Sequence, residues 1–312
     1  MEDIQILIQC LLHPYVFIPV VILIIIYLKR KKEYEESSYY HVTDHSYRSF
    51  RKDKGMQGEY FTYKDLRHME NYGAKFLFNV YVPKRNGETT EIDVLMICSK
   101  GIFVFESKNY SGWIFGSVDQ KYWYQTLPAG GGRSRKERLY NPVIQNRYHI
   151  KYLKEFLGEQ IPIYSIVVFS DHCTLKNGQI TGNDVCVINR NNVSAVVASI
   201  CNQNQSVVLN SNTISRIYSK LYPLSQVDAI TEAQHVTNIR NNGKGSAVQK
   251  NNLVYTSNVI KKTKEDAFVC PQCKGQLVLR TAKRGAYAGN QFYGCSNYPN
   301  CRYIQNITKK TP

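Results

Sequence analysis

The longest apolar stretch of the chain lies at its N-terminus, between Ile4 and Leu28. Twenty of these 25 residues are apolar, and none is Asp, Glu, Lys or Arg. At ~1.5 Å per residue, a helix of this length can cross a hydrocarbon layer ~30 Å thick. The pattern predicts a transmembrane helix over residues 4–28, followed by a basic juxtamembrane tether over residues 29–54.

The flanking residues distinguish an anchor from a cleaved signal peptide. A signal peptide begins with basic residues, whereas Glu2 and Asp3 are acidic. The cations instead follow the stretch, at positions 29–32. The positive-inside rule then places the N-terminus outside and the body in the cytoplasm. We therefore expect a single-pass protein of a bacterial inner membrane, in contact with the lipid bilayer.

After residue 55 the polar and apolar positions predict one helix and then a series of strands. The helix is expected over residues 57–71. Strands are expected at residues 76–82, 91–98, 102–108, 112–116 and 121–126. Three glycines at 130–132 then predict a flexible basic loop that carries Arg133, Arg135, Lys136 and Arg138.

Helical spacing returns after Asn141-Pro142, where proline suits the first helical position. Strands are expected at residues 163–169 and 184–188, and helices at 192–200 and 212–221. Together these elements predict an α/β domain over residues 55–225, in which residues 171–225 either complete the sheet or form an appendage. Residues 226–265 are polar and predict a helix and a flexible linker.

Composition and charge narrow the class of partner. The 312 residues are 43% apolar and 21% charged, which excludes global disorder and leaves room for about two domains. Forty Lys and Arg against 24 Asp and Glu give a formal charge of +16. Such an excess favours polyanions, either nucleic acid or an anionic membrane surface.

Three charged residues are predicted to meet on neighbouring strands. Glu106 and Lys108 share a face of one strand, because side chains two residues apart do so. A tight turn at residues 99–101 can bring Asp93 of the preceding strand beside them. Two carboxylates on one face suit Mg²⁺, and a nearby lysine can orient or help deprotonate a water that attacks a phosphate.

The same residues also fit a surface ion pair, since an acidic residue two before a lysine is a common pattern. Asp119 and Lys121 have that spacing too. The unbroken apolar run at residues 102–105 is typical of a strand buried on both faces. Charges that end such a strand favour a functional site.

Four separated segments carry a further pattern: Gly58-Glu59, residues 91–93, residues 101–112 and residues 141–145. In this order they resemble the nuclease-related domain family, NERD, which is similar to the PD-(D/E)xK restriction-endonuclease-like superfamily. The resemblance covers roughly residues 55–170. It implies a restriction-endonuclease-like mixed sheet flanked by helices. Asp93, Glu106 and Lys108 would form its catalytic core, with Mg²⁺ or Mn²⁺ held by the two carboxylates.

The resemblance also implies assisting roles for Glu59 and Gln145. Glu59 would contact metal or hold a water, although a carboxylate in the first turn of a helix is also favoured by the helix dipole. Gln145 would contact substrate or Lys108, or else face solvent. His149 lies one turn later and could share that face, but a single histidine is more often structural, so it is left out of the catalytic core. Ile92 stands where the superfamily often has proline before the acidic residue.

Four of the nine cysteines predict a zinc site. Cys270 and Cys273 are two residues apart, and Cys295 and Cys301 follow with spacings that can close a tetrahedral S₄ site. The alternative is a redox-active C-x-x-C pair, which leaves the last two cysteines unexplained. The odd cysteine count also disfavours a disulfide scaffold.

Residues 268–306 resemble the C4 zinc finger at the C-termini of bacterial type I topoisomerases, and a small zinc-ribbon-like finger is expected over residues 266–307. In that family such fingers bind single-stranded DNA, and aromatic rings beside cations suit this ligand. Phe292 and Tyr303 are expected to cover the zinc site instead. The expected DNA contacts are Lys274, Arg280, Lys283, Arg284, Tyr287, Tyr298 and Arg302.

These patterns predict a membrane-anchored, metal-dependent nuclease that hydrolyses DNA phosphodiester bonds and holds single-stranded DNA through a zinc finger. The alternative is a non-catalytic, membrane-tethered DNA-binding protein with a nuclease-derived fold. Processing of RNA is a third possibility. The sequence does not define the oligomeric state.

Overall fold

The computed structural model describes residues 14–178, 180–181, 184–203, 208–226, 270, 272–273, 277–281 and 291–306. The chain forms two compact units, residues 1–252 and residues 253–312. Beyond Gln226, the predicted linker at residues 226–265 lies outside the described part of the chain.

The strands of the first unit form two sheets, and most begin and end within two residues of the predicted bounds. They are β1 (Lys75–Pro83), β2 (Thr89–Cys98), β3 (Gly101–Lys108), β4 (Gly112–Phe115), β5 (Tyr122–Pro128), β6 (Ser134–Tyr140), β7 (Ile163–Phe169), β8 (Cys173–Leu175), β9 (Ile180–Thr181) and β10 (Cys186–Asn189).

The main sheet is mixed, with the strand order β1–β2–β3–β7–β10–β9. β1, β2 and β3 are antiparallel neighbours, whereas β7 is parallel to β3 and β10 is parallel to β7. Residues 101–106 of β3 are buried throughout, as the apolar run in the sequence predicts. Since β9 and β10 belong to this sheet, residues after 171 complete it rather than form an appendage.

Helices flank this sheet, which gives the predicted mixed α/β architecture. The helices are α1 (Pro14–Glu35), α2 (Ser38–Thr43), α3 (Tyr47–Phe50), α4 (Lys54–Leu66), α5 (Pro142–Leu157), α6 (Val193–Gln203) and α7 (Ser211–Leu221). Asp53 caps α4 by accepting a hydrogen bond from the Met56 N–H at 2.9 Å. Asn141 caps α5 in the same way, through the Val143 N–H at 2.8 Å.

Residues 38–43 and 47–50 form two short helices that contribute to the core, so this segment is not the polar tether predicted from the sequence. Tyr39, Tyr47 and Phe50 are buried in the main core cluster, together with Tyr34 from the end of α1. The ring of Tyr34 stacks on that of Phe50, with the ring centroids 4.6 Å apart. Tyrosine combines a large apolar body with a hydroxyl, and this allows a segment that is polar in composition to pack as core.

A membrane-spanning helix was predicted over residues 4–28, and the structure describes this region from Pro14 onward as part of α1. Among the described residues, no helix has both the length and the apolar character needed to cross a bilayer. The prediction of a spanning helix is therefore not supported.

A second sheet has the strand order β6–β5–β4–β8. β6 pairs antiparallel with β5 along its whole length, from Tyr122 opposite Tyr140 to Pro128 opposite Ser134. The flexible basic loop predicted for Arg133 to Arg138 is therefore mostly a strand. Hydrogen bonding to β5 orders these charged residues, and their side chains remain in water.

The second unit contains a three-stranded antiparallel sheet in the order β11–β12–β13. Its strands are β11 (Leu277–Thr281), β12 (Gln291–Cys295) and β13 (Ile304–Asn306). The buried cluster described for this unit consists of Cys270, Cys295 and Cys301, with Tyr303 packed against it.

Candidate active site and zinc site

A buried carboxylate, Glu106, lies near the end of β3. It is 0% exposed, and its two oxygens contact nitrogens on either side. Oε1 lies 2.5 Å from Lys108 Nζ, and Oε2 lies 3.0 Å from His149 Nε2. Glu106 and Lys108 are two residues apart on β3, and this spacing places both side chains on one face. The predicted pairing of these two residues is present in the structure.

Asp93 of β2 joins the same cluster. Val94 pairs with Phe105 in the antiparallel register, so the next residues along the two strands, Asp93 and Glu106, are neighbours. Asp93 Oδ2 accepts a hydrogen bond from the Ser107 N–H at 2.8 Å. The turn between β2 and β3 therefore brings the three predicted residues together, and their catalytic role stays a prediction.

Glu59 approaches from α4, which packs close to β3. A Cβ atom added to Gly58 would lie 3.0 Å from Ser107 Oγ and 3.1 Å from Asn109 Cβ, so a larger residue here would require these side chains to shift. Glu59 Oε2 accepts a hydrogen bond from the Tyr39 hydroxyl at 2.8 Å. The Gly58-Glu59 motif thus has a physical basis, because the glycine permits the contact that places the carboxylate near Asp93.

His149 of α5 was assigned to structure from the sequence, but it contacts the site directly. Its Nδ1 lies 2.6 Å from the Thr90 hydroxyl, while its Nε2 faces Glu106. With the proton on Nε2, the ring accepts from Thr90 and presents an N–H to Glu106. The chain Thr90–His149–Glu106–Lys108 was not predicted. The available signal was the position of His149 one helical turn after Gln145.

Gln145 is half-buried on α5, and its N–H donates to the Asn141 carbonyl at 3.0 Å. The hydrogen bonds found in the described part of the chain do not link its side chain to Glu106 or to Lys108. Its spacing of four residues from His149 places both side chains on one side of the helix. The assisting role of Gln145 stays a prediction.

Burial and neighbouring charges shift the pKa values of the three carboxyl groups in different directions. Burial and the negative charge of Glu106 raise the pKa of Asp93 to about 7. Burial and the charge of Asp93 raise the pKa of Glu59 well above its usual value. Burial acts in the same direction on Glu106, but the charge of Lys108 and the contact with His149 outweigh it and lower the pKa.

Lys108 is held in its charged form. Burial acts to lower its pKa, but the adjacent negative charge of Glu106 outweighs burial and raises the pKa above the usual lysine value. A lysine in this state cannot accept a proton near neutral pH. It can supply positive charge and hydrogen-bond donors, so it suits stabilisation of an anion better than deprotonation of water.

Asp93 and Glu106 could supply oxygen ligands to a divalent cation, although the group of three or more potential metal ligands found among the described residues is the cysteine cluster. Both oxygens of Glu106 are buried, and within the described residues neither has a hydrogen bond of good geometry despite its close contacts. Asp93 and Glu59 add carboxylates whose pKa values are raised by burial and by neighbouring negative charge. A bound cation would contact the Glu106 oxygens and would offset the repulsion between the neighbouring carboxylates. Hard cations such as Mg²⁺ prefer carboxylate oxygen as a ligand.

Replacing Asp93 by asparagine should stabilise the first unit at pH 8 in buffer without divalent cations. The pKa of Asp93 is raised from 3.8 to about 7. The folded state favours the protonated carboxyl group of Asp93. The stability that this preference contributes is complete below pH ~4 and is lost as the pH rises through ~7. We expect the free energy of unfolding of Asp93→Asn to exceed that of the parent by about 2–4 kcal/mol at pH 8, and by little at pH 4. Urea unfolding across this pH range measures the difference.

A matched control is Asp184→Asn, because Asp184 pairs with Arg147 at the surface. Loss of an exposed ion pair costs ~0–1 kcal/mol, with the opposite sign. A difference between Asp93→Asn and the parent that stayed constant from pH 4 to pH 8 would contradict the assigned pKa.

The four predicted zinc ligands come together in the second unit. One ligand atom from each of Cys270, Cys273, Cys295 and Cys301 lies within 4.8 Å of the others. Two Sγ–Sγ distances are 3.5 Å (Cys270 to Cys301) and 3.3 Å (Cys273 to Cys295). Zn–S bonds of ~2.3 Å in a tetrahedron place sulfur atoms at about these separations. The four thiols therefore fit one Zn²⁺.

The expected DNA contacts of the finger fall partly outside the described residues. Tyr298 and Arg302 are exposed, and Tyr303 packs against the cysteines, as expected. For Arg280 and Phe292 the structure describes the backbone, which pairs β11 with β12. The remaining predicted contacts, Lys274, Lys283, Arg284 and Tyr287, lie outside the described part of the chain.

Comparison with known families defines the class of each unit. Residues 54–170 match the nuclease-related domain family, and they contain Glu59, Asp93, Glu106, Lys108 and Gln145. Residues 259–310 match the DNA-binding C4 zinc finger of topoisomerases, and they contain the four clustered cysteines. The protein thus combines a segment similar to the nuclease-related domain with a segment similar to the C4 zinc finger of topoisomerases.

Individual relatives agree with this division. An uncharacterized protein of Bacillus anthracis is 30% identical over 190 residues, which cover 61% of this chain and 85% of that protein. The chain belongs to the same family as that protein. DNA topoisomerase 1 of Methanocaldococcus jannaschii is 47% identical over 49 residues, and that of Archaeoglobus fulgidus is 50% identical over 42 residues. These matches span 6% of each topoisomerase. No solved structure is a significant match.

Proposed function

We propose that this protein is a metal-dependent nuclease that hydrolyses DNA phosphodiester bonds at the Asp93–Glu106–Lys108 cluster. The observation that carries the proposal is the buried Glu106 carboxylate, held between Lys108 at 2.5 Å and His149 at 3.0 Å beside a second carboxylate. A buried ion pair of this kind contributes little net stability to a fold, so stability alone does not explain it. Perturbed carboxyl groups that converge with a cation are typical of catalytic sites.

Each of the five candidate residues has a distinct role in the proposed reaction. Asp93 and Glu106 would hold Mg²⁺ or Mn²⁺, which when bound supplies a Lewis acid and lowers the pKa of a bound water. Lys108 keeps its charge and would stabilise the negative charge that develops on the phosphate. Glu59, which lies near Asp93 and accepts a hydrogen bond from Tyr39, would contact the metal or hold a water. Gln145 would orient the substrate.

The zinc finger would supply affinity rather than chemistry. The family to which it belongs binds DNA, and we propose single-stranded DNA as its ligand because exposed Tyr298 and Arg302 offer a ring for stacking and a cation for phosphate. Binding through a covalently linked module raises the local concentration of DNA at the first unit. The proposal therefore assigns cleavage and capture to different units.

The test of the proposal is cleavage of single- and double-stranded DNA by the full chain with added Mg²⁺ or Mn²⁺. Cleavage that requires the added cation and that is lost on replacement of Lys108 supports a nuclease. DNA binding without any metal-dependent cleavage would contradict it and would favour a DNA-binding protein with a nuclease-derived fold. Cleavage of RNA alone would change the substrate class.

The proposal includes attachment to a lipid surface through α1. The side chains of Phe17, Ile18 and residues 22–26 on this helix are exposed and apolar, and basic residues follow at positions 29–32. Apolar side chains beside a basic cluster suit an anionic bilayer surface. We expect the body of the protein to remain on the cytoplasmic side of the membrane.

Replacing Ile22 and Ile25 by aspartate should abolish binding of the full chain to anionic vesicles. Each charge placed at an apolar lipid contact costs roughly 2–3 kcal/mol, so at least a hundredfold loss is expected. Co-flotation with phosphatidylglycerol-containing vesicles measures it. Val208→Asp is a matched control, because Val208 is an exposed apolar residue on another part of the first unit. Equal flotation of all three proteins would refute attachment through α1.

A further inference from the structure

The outward face of the second sheet is covered by aromatic and basic side chains. Side chains alternate along β5, so that Trp123 and Gln125 are buried while Tyr124 between them is exposed. Trp113 and Phe115 of β4 are likewise exposed on either side of the buried Ile114. The outer face thus presents large rings where a strand of this type usually carries small polar residues.

The strand register places these rings in rows with cations. Phe115 lies opposite Tyr124, which lies opposite Arg138. In the adjacent row, Trp113 lies opposite Thr126, which lies opposite Lys136. We call this surface the outer face; its members are Trp113, Phe115, Tyr122, Tyr124, Thr126, Lys136, Arg138, Tyr140 and Thr174.

The cations lie directly over the rings. Lys136 Nζ is 4.1 Å from the ring centroid of Tyr124, and Arg138 Cζ is 4.4 Å from that of Tyr122. Lys176, just beyond β8, lies 4.8 Å from the ring of Trp113. Each cation–ring contact fixes a positive charge beside a flat aromatic surface. Among the described strand residues assigned to the outer face, none is acidic.

This surface is firmly joined to the candidate active site. β4 begins at Gly112, four residues after Lys108. The carbonyl of Lys108 accepts a hydrogen bond from the Ser170 N–H at 2.9 Å, and the Gly112 N–H donates to the His172 carbonyl at 3.2 Å. The second sheet is therefore fixed in position relative to the end of β3 that carries Lys108.

We infer that the outer face binds single-stranded nucleic acid. Lys136 and Lys176 move from the rings of Tyr124 and Trp113 to phosphates, bases stack on these two rings in their place, and Arg138 holds a further phosphate. Rings suit the exposed faces of unpaired bases, and cations interleaved with them suit a phosphate backbone. A duplex hides its base faces, and an acidic peptide offers none, so neither uses the rings. The inference rests on the proposed function for its choice of substrate, and it assigns the first unit a binding site separate from the zinc finger.

Tryptophan fluorescence can test stacking without interference from the finger. The chain has two tryptophans, and both lie in the second sheet: Trp113 is 48% exposed and Trp123 is 2% exposed. Oligo(dT) of roughly 20 nucleotides, added to the full chain without divalent cations, should quench the emission of Trp113. In Trp113→Phe, which retains Trp123, quenching should be lost. Equal quenching by poly-glutamate would overturn the inference in favour of an acidic peptide.

Anisotropy of the same labelled oligonucleotide measures the contribution of the charges. Lys136→Ala with Arg138→Ala should weaken binding about tenfold and should flatten the slope of log K against log salt by about 1.4, which is ~0.7 for each single-strand phosphate contact. The matched control is Lys151→Ala with Lys154→Ala, which removes two exposed cations from α5, one of them also over a tyrosine ring. Equal weakening by both pairs would overturn the specific role of the outer face.

Thermal unfolding of each variant tests whether the exposed substitutions leave the fold intact. Tyr72→Ala serves as the aromatic control, because the ring that it removes is 79% exposed. Loss of cleavage with quenching intact would overturn the proposed function alone. Absence of quenching from a protein that cleaves DNA would overturn this inference alone.

Discussion

Replacing Lys108 by alanine should reduce metal-dependent DNA cleavage at least a thousandfold and should leave salt-dependent DNA binding within about threefold of the parent. The lysine supplies the positive charge nearest the Glu106 carboxylate, at 2.5 Å. Electrostatic groups of this kind contribute about 10²–10³ to a rate, and loss of Glu106 ionisation adds to the effect. Binding is retained because the zinc finger does not depend on this charge.

The same substitution also affects stability. Glu106 is 0% exposed, and a buried charge that loses its partner costs roughly 3–5 kcal/mol. Thermal unfolding must therefore accompany the kinetics. Lys108→Met combined with Glu106→Gln removes both charges and retains similar volumes, so it should fold better than Lys108→Ala while still failing to cleave. An inactive, folded double variant separates loss of chemistry from loss of structure.

Lys84→Ala is the matched control for this experiment. Lys84 also pairs with a glutamate, Glu88, at 3.2 Å, but in the β1–β2 turn away from the site. We expect its cleavage rate to equal that of the parent. Cleavage by Lys108→Ala at the parent rate would remove the Asp93–Glu106–Lys108 cluster as the catalytic centre.

Replacing Cys270 by serine should release the zinc and unfold the second unit alone. The buried cluster found among the described residues of this unit consists of three cysteines and Tyr303, and a module of about 40 residues usually needs a metal or disulfides to fold. Structural zinc sites provide about 10–16 kcal/mol of apparent binding energy, which is then the folding energy of the unit. Metal analysis should fall from one Zn²⁺ per chain to none, and affinity for single-stranded DNA should fall at least tenfold.

Cys201→Ser tests whether the effect is specific to the zinc ligands. Cys201 is a half-buried free thiol of α6, in the first unit. This variant should retain one Zn²⁺ per chain and the parent affinity. Unchanged zinc content in Cys270→Ser, or unchanged DNA binding after its zinc is lost, would refute the role given to the finger.

The central strands and the meeting of three catalytic candidates, Asp93, Glu106 and Lys108, were predictable because the local pattern and the site coincide there. The apolar run before Glu106 specifies a strand buried on both faces. A tight turn then makes the pairing of β2 with β3 the simplest arrangement. Asp93 and Lys108 follow from that register, since a strand has a strict two-residue period. The spacing of the four cysteines was also sufficient to predict that they come together, because a tetrahedral zinc site constrains the positions of its ligands closely.

His149 and Tyr39 were not predictable in the same way. His149 is 43 residues from Glu106 in the chain, and Tyr39 is 20 residues from Glu59. Their contacts depend on how α5 and α2 dock on the sheet, which no local period encodes. A single histidine or tyrosine is also common in structural roles, so its identity carries little information until its neighbours are known.

β6 shows a different limit of pattern reasoning. Its sequence, from Ser134 through Arg138, is almost wholly polar and follows three glycines, and this composition is typical of a loop. The strand forms because its backbone pairs with β5, while its outward side chains stay in water. Pairing partners distant in sequence decide such cases, and strand propensity is correspondingly dependent on context.

The hydrogen bond from Tyr39 to Glu59 has a practical consequence for where the domain begins. The match to the nuclease-related family starts at residue 54, yet Tyr34, Tyr39, Tyr47 and Phe50 belong to the same core. A recombinant fragment trimmed to the family boundary would lose four aromatic core side chains. It would also lose the Tyr39 hydroxyl, which donates a hydrogen bond to Glu59. Such a fragment would expose apolar core surface to water and would aggregate. Its lack of activity would then say nothing about catalysis. Truncation series should therefore start no later than residue 33.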